Sequence, residues 1–223
     1  MWENELMYYI LMNDYGSSLI PRYLHAIVDF KKQVNDKWEY ESSKESFPNY
    51  MLESTCPNTL YLLCRKDVGA LKFSYYNHGM GHIMSKDFFE KVNSIETSHF
   101  VAKDMIATSI KDGSVLRDDL KYVYFLGDDD FIDISKSKLE EDKRGNLVPY
   151  DISFNNSVTK YGLFSINKTL LHHFLFLSEL SVDVFSKVNG LKIVPLNSAL
   201  NNYCSDYGYD LEGNKKRVRK KLP

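Results

Sequence analysis

Apolar positions along this chain gather in short runs, and most of the runs have the length of a strand. Leu6-Met-Tyr-Tyr-Ile-Leu-Met12 is closed by the turn-prone Asn13-Asp-Tyr-Gly-Ser-Ser18 and predicts a first strand. Leu60–Cys64 and Ala70–Tyr76 are β-rich runs on either side of Lys66-Asp-Val-Gly69 and predict a hairpin. His99–Ile110, Lys121–Leu126, Phe131–Ile134, Leu147–Phe154, Tyr161–Ile166 and Leu191–Leu196 predict further strands, and Phe174–Leu177 reads as extended. Helical spacing is rarer. Leu24, Ile27, Val28 and Val34 have it in part, but Pro21 restricts where a helix can start, so residues 19–34 stay ambiguous. Asn167–His173 reads as the start of a helix. Residues 41–58 are polar with two prolines and predict a long surface loop, and the charged stretch 135–146 is expected to be exposed. After Leu196 the chain reads as a polar, Tyr-rich and finally basic tail.

One pattern occurs twice. Ser85-Lys-Asp-Phe-Phe-Glu-Lys-Val-Asn-Ser-Ile95 returns as Ser181-Val-Asp-Val-Phe-Ser-Lys-Val-Asn-Gly-Leu191, with six identities in eleven positions and starts 96 residues apart. In each copy Ser is placed to cap a short helix and Asp falls in its first turn, near the positive end. Phe88, Phe89 and Val92 give the first copy one apolar stripe, and Asn189-Gly190 is a good stop for the second because both residues tolerate positive φ. Each copy therefore reads as strand, short capped helix, strand. Many strands and few helices, without regular alternation, predict an α+β fold with a mostly antiparallel sheet. Two similar halves remain an open reading of the repeat.

Composition adds a bias towards sheet, because 16 Tyr and 13 Phe suit pleated, half-buried surfaces. Charge changes the picture more. Six of the 28 basic residues lie in the last eleven, so residues 1–212 hold 22 basic against 30 acidic residues, a net −8 where the whole chain is −2. A body of that sign repels nucleic acid and attracts basic partners. Residues 1–212 are expected to form a single α+β domain, and residues 213–223 a basic flexible tail. Cys56, Cys64 and Cys204 are an odd count with no C-x-x-C spacing, as in a reduced cytoplasmic protein. Trp2-Glu3-Asn4-Glu5 lacks a secretory pattern and no run approaches the length of a membrane helix, so a cytoplasmic protein is expected.

Candidate chemistry is sparse. Gly127-Asp-Asp-Asp130 with Asp133 is the densest acid cluster, but a calcium loop needs carboxylates at alternate positions, and Ile132 breaks that pattern. A solvated turn explains the cluster without any function, and an acidic patch facing a partner is the functional reading. His78-Gly-Met-Gly-His82 has metal-ligand spacing only on a helix, and its glycines argue for a loop. His172 and His173 are neighbours whose side chains diverge on a helix or a strand, so at most one can face a given site. No cysteine has a histidine near it in sequence, and the G-x-S-x-G, P-loop and dinucleotide patterns are missing. Neither a catalytic set, a metal site nor a cofactor is expected. The tail Lys215–Lys221 could contact phosphates, though a solubilising tail accounts for it as well.

The succession Met7-Tyr-Tyr-Ile-Leu11, Ile83-Met-Ser-Lys-Asp-Phe-Phe89, Tyr122-Val-Tyr-Phe125, Phe131-Ile-Asp-Ile-Ser135, Leu163-Phe164 and Phe176-Leu-Ser-Glu179 through Asn189-Gly-Leu191 resembles immunity proteins of bacterial polymorphic-toxin and contact-dependent inhibition loci, in particular the groups numbered forty-three and eleven. The loop at 41–58 and the basic tail have no place in that pattern. The resemblance implies a protein that binds and neutralises one cognate toxin domain, often a nuclease, by occlusion, with no shared catalytic residues. Charge alone then nominates Asp128, Asp129, Asp130 and Asp133 as partner-binding residues. Two other classes stay open on the sequence: an enzyme whose Asp, His and Cys residues assemble only in the fold, and a regulatory binding module that meets no toxin. The oligomeric state is not legible.

Overall fold

The computed structural model describes residues 6–42, 46, 51, 52 and 55–216. Its strands form two sheets and a ribbon, with four short helices, an α+β fold in which antiparallel pairing dominates. The smaller sheet has the order β10-β11-β1-β12, from β1 (Tyr8–Asn13), β10 (Leu163–Phe164), β11 (Leu175–Ser178) and β12 (Leu191–Pro195), all antiparallel. β1 is central, and both its faces are covered: Ile10 and Met12 enter one core cluster and Leu11 another. A strand buried on both faces has no polar alternation, which is why its run is continuously apolar.

The larger sheet has the order β2-β3-β6-β7-β5-β4, from β2 (Ala26–Asp29), β3 (Thr59–Cys64), β4 (Tyr75–His78), β5 (Gly81–Ser85), β6 (Phe100–Ser109) and β7 (Val115–Phe125). β3 and β6 run parallel, and every other pair is antiparallel. The ambiguous stretch resolves into β2, whose four residues are all buried, and contains no helix. The expected hairpin between Leu60–Cys64 and Ala70–Tyr76 does not form. Both edges of β3 are taken, by β2 and β6, so the chain passes on and pairs instead as β4 with β5, Tyr75 opposite Met84. Half of the polar loop expected at 41–58 and the end of the tail lie outside the described residues.

The repeated pattern marks the same connection in both sheets. α1 (Lys86–Asn93) joins β5 to β6, two strands that flank β7 and run parallel to each other. α2 (Val182–Phe185) joins β11 to β12, which flank β1 in the same way. Each helix is thus the crossover of a split β-α-β unit, and the two meet, with the Phe88 and Phe185 rings 5.2 Å apart. The copies differ in detail. Ser85 caps α1, its Oγ accepting from Phe88 N at 3.2 Å. Ser181 makes no such cap, and Ser178 instead accepts from Leu180 N, because a 3-10 turn at Glu179–Ser181 precedes α2. The expected stop is present at Gly190, with φ +80°. The middle strand follows the unit in the larger sheet and precedes it in the smaller, an order that a simple tandem copy would not give.

Four further expectations need correction. Phe131–Ile134 is not a strand: Asp129–Phe131 form a 3-10 turn, with Phe131 and Ile132 anchored in the core. The charged stretch 135–146 is exposed for the most part, yet Lys138–Glu141 is a strand, β8, paired with β9 (Leu147–Asp151). The presumed tail after Leu196 begins as a helix, α3 (Leu196–Tyr207), followed by α4 (Leu211–Asn214). Leu196, Ala199, Leu200 and Tyr203 give α3 a stripe at helical spacing, which packs on the smaller sheet's outer core and on the ribbon. Asn167–His173, read as the start of a helix, consists of turns.

Candidate partner-binding surface

The acid cluster lies just beyond β7, and its four carboxylates have different employments. Asp128 Oδ1 accepts from Asp130 N at 2.9 Å and so caps the 3-10 turn. Asp129 Oδ1 accepts from Asn167 N and Lys168 N, both at 2.9 Å, and the Lys168 ammonium stands 3.5 Å from its other oxygen. Asp133 Oδ1 accepts from Ser135 N at 3.1 Å and Ser135 Oγ at 2.6 Å. That Ser135 bond, helped by Lys136, holds the Asp133 carboxyl below the usual carboxylate range. Asp130 is exposed, and its carboxylate makes no hydrogen bond or ion pair among the described residues. Gly127 must be glycine, because a Cβ there would lie 2.8 Å from the Ile166 carbonyl carbon. The cluster is therefore one built turn. Two of its acids mainly staple loops, and Asp128 and Asp130 are the ones that face solvent.

A second turn built around an aspartate lies on the ribbon, between β8 and β9. The Asp142 side chain is 2% exposed by residue area and takes four hydrogen bonds: Tyr209 OH at 2.6 Å, Arg144 N at 2.8 Å, Asn146 N at 2.9 Å and Asn146 Nδ2 at 3.0 Å. Burial alone would raise its pKa, but these bonds, led by that of Tyr209, outweigh burial and hold the carboxyl well below its usual range. Lys143 Nζ reaches Gly213 O at 2.7 Å, and Lys216 pairs with Glu141 at 2.5 Å. The proposed division at residue 212 thus falls inside α4, and residues 213–216 are held against the ribbon.

Of the histidines and cysteines that an enzyme reading would use, His82, Cys56 and Cys64 are buried, and His78, His172, His173 and Cys204 are partly buried. His78 and His82 flank the tight β4–β5 turn. His82 is buried, with Tyr75 OH 3.0 Å from its Nδ1, and burial, with His173 nearby, pushes it down to about 3. His172 and His173 do not diverge as expected. The segment is a turn, and the two rings lie against each other, centroids 3.6 Å apart and planes tilted by 50°. Burial, and then His172, push His173 down to about 4. Cys64 is buried on β3 and burial pushes its thiol up to about 12, the opposite of what a nucleophile needs. Among the described residues no three His, Cys, Asp or Glu side chains come together as a metal site.

Close by, Asn13 joins the two sheets. Its carboxamide accepts from Asn77 N at 2.8 Å and donates to Asn77 O at 3.3 Å, in the manner of a ladder rung on the edge strand β4. Asn77 Nδ2 in turn reaches His173 O at 2.7 Å. The sequence placed Asn13 in a turn and gave no signal for this role, nor for that of Asp142.

Comparison with known families gives the class: the match is to immunity proteins. The chain belongs to the Immunity protein 43 family of polymorphic-toxin systems, whose family model matches residues 12–211. No curated protein matches the chain.

Proposed function

We propose that this protein binds one cognate toxin in the cytoplasm and neutralises it by covering the toxin's working surface. Membership of the immunity family over residues 12–211 carries this reading. The charge of −8 over residues 1–212 points to a toxin with a basic face, and a phosphate-binding cleft such as that of a nuclease is the natural target. Occlusion asks nothing of the inhibitor but surface, so the reading needs no catalytic residue. Asp128 and Asp130 are proposed to add local negative field that steers the encounter, with Asp129 and Asp133 holding the turn that displays them. Among the described residues no helix is long and apolar enough to cross a membrane.

Co-expression with the toxin encoded beside the gene tests the proposal: cells should survive, and the two proteins should co-purify. Death in spite of the protein, together with no complex in a pull-down, would sink it. The steering role has its own test. Replacing Asp128 and Asp130 by Asn should slow association at low salt and leave dissociation unchanged, and an unaltered association rate would remove the acid turn from the interface.

A further inference from the structure

The ribbon of β8 and β9 has an open edge. Along an antiparallel pair, alternate residues turn their N–H and C=O groups towards the partner strand and away from it. Asp142 N donates to Asn146 O at 2.9 Å, so Asp142 faces β9. Counting back along the register, Glu140 faces Val148, while Glu141 and Leu139 face outwards. Pro149, opposite Leu139, agrees with this count, because it stands where β9 needs no N–H donor. Among the described residues β8 forms a sheet only with β9. Its outer edge therefore offers the backbone groups of Glu141 and Leu139, with the exposed Glu140 between them. Among the described residues the Glu140 carboxylate has neither a hydrogen-bond nor an ion-pair partner.

The chain has already begun to fill this edge. After α4, Asn214 O accepts from Lys143 N at 2.9 Å, and Lys215 forms an antiparallel bridge with Asp142. The Lys216 ammonium then meets the Glu141 carboxylate at 2.5 Å. A bridge fixes both direction and register. Hydrogen-bonded pairs recur at every second residue, so the pair 143 with 214 is followed by 141 with 216 and 139 with 218. Glu141 and Leu139 are the residues that the ribbon's own parity turns outwards. The two counts, one from β9 and one from the C-terminal residues, agree.

Carried on, this register sets Arg217 opposite Glu140 and Val218 opposite Leu139. Leu139 is the half-buried residue of β8 and packs against the smaller sheet's outer core. Opposite charges meet, and apolar meets apolar, the pairs that stabilise neighbouring strands. A slip of one residue would set Val218 opposite Glu140 or Arg217 opposite Leu139, so the letters themselves choose the register. Past Val218 the match ends, because Arg219 falls opposite Lys138.

We infer that the outer edge of β8 is the seat of the chain's own basic tail, with residues 216–218 closing the ribbon as a third antiparallel strand. The strap has two effects. It covers an edge that is otherwise a template for pairing with another chain. It also commits the first of the tail's positive charges to Glu141 and Glu140, and so withholds them from phosphates. The inference stands apart from the immunity reading, since it needs no toxin.

Amide hydrogen exchange tests it, on the full chain beside a form that stops at Lys216. The parity supplies a control within one strand: the Glu140 N–H points to β9 and the Leu139 N–H to the tail. Leu139 should be about 10-fold better protected in the full chain than in the stopped form, with Glu140 equally protected in both. Two full-length variants answer the question even if the stopped form loses its ribbon. Val218→Pro removes the N–H that Leu139 O accepts and should abolish the Leu139 protection, while Arg219→Pro, whose lost N–H points away from β8, should keep it. Glu140→Lys should weaken the protection, and adding Arg217→Glu should restore it. Equal Leu139 protection in the full and stopped forms, or in the two proline variants, would show that the tail does not sit on β8.

Discussion

Two turns of this molecule are built around aspartates and use them differently. The turn at Asp128–Asp133 gathers four acids within six residues and keeps two of them facing solvent. The turn at Asp142–Asn146 has a single carboxylate, which it buries under four hydrogen bonds to hold the ribbon, Tyr209 and the C-terminal helices together. Density of charge in sequence marks the first, yet the second bears more of the fold. Hydrogen bonds to a charged group that has left water are worth more than those at the surface, and leaving their donors unmatched costs more still.

The contrast is sharpest under substitution. Asp142→Ala should have the largest effect, lowering stability by about 3 kcal/mol in chemical denaturation, because it leaves the Tyr209 hydroxyl and three N–H donors without an acceptor. Full stability of that variant would show that the ribbon turn carries no more than the surface one.

Acid should come next. Asp142 has a depressed folded pKa, so its contribution is complete above the unfolded value near 4 and is lost as pH falls below it. His82 and His173, held down to about 3 and about 4, act earlier. Below about pH 6.5 the unfolded chain takes up protons that the folded histidines refuse, so stability should fall by up to roughly 1.4 kcal/mol per pH unit for each histidine. Denaturation curves between pH 7.5 and 4 measure that slope, and a flat profile would contradict it. His82→Leu should reduce the loss that begins near pH 6.5, while Asp142→Asn should lower stability at every pH above about 4 and remove the further loss below it.

Smaller effects belong to the first turn. Asp133→Asn should lower the denaturation midpoint measurably by weakening its bonds to Ser135 and its pairing with Lys136. Asp130→Asn should change stability by less than about 0.5 kcal/mol. If Asp130→Asn proves the more damaging of the two, the assignment of structural and solvent-facing acids is inverted.

The parts of this fold legible in the sequence are those settled locally or by burial on two faces. β1 reads directly from Ile10, Leu11 and Met12, and α1 from Ser85, Phe88 and Val92. Partner choice is not local. The β3 run is plain in the sequence, but nothing in it says that β6, 45 residues on in register, takes the edge where a hairpin was expected. α3 escaped because asparagine and tyrosine letters mask a four-residue apolar stripe. The acid cluster was visible, though its division of labour was not, since Asp129 is claimed by amides 38 and 39 residues away. The basic letters after Asn214 were visible too. The bridge from Lys215 to Asp142 was not, because it exists only once α4 has turned the chain back along β8.

The central place of β1 in the smaller sheet has a consequence for how the protein is made. β1 leaves the ribosome first, while both strands that flank it, Leu175–Ser178 and Leu191–Pro195, leave last. At about 5–20 residues per second, the first strand waits on the order of 10–30 s for its neighbours. The smaller sheet therefore closes only once Leu191–Pro195 has emerged, after every strand of the larger sheet.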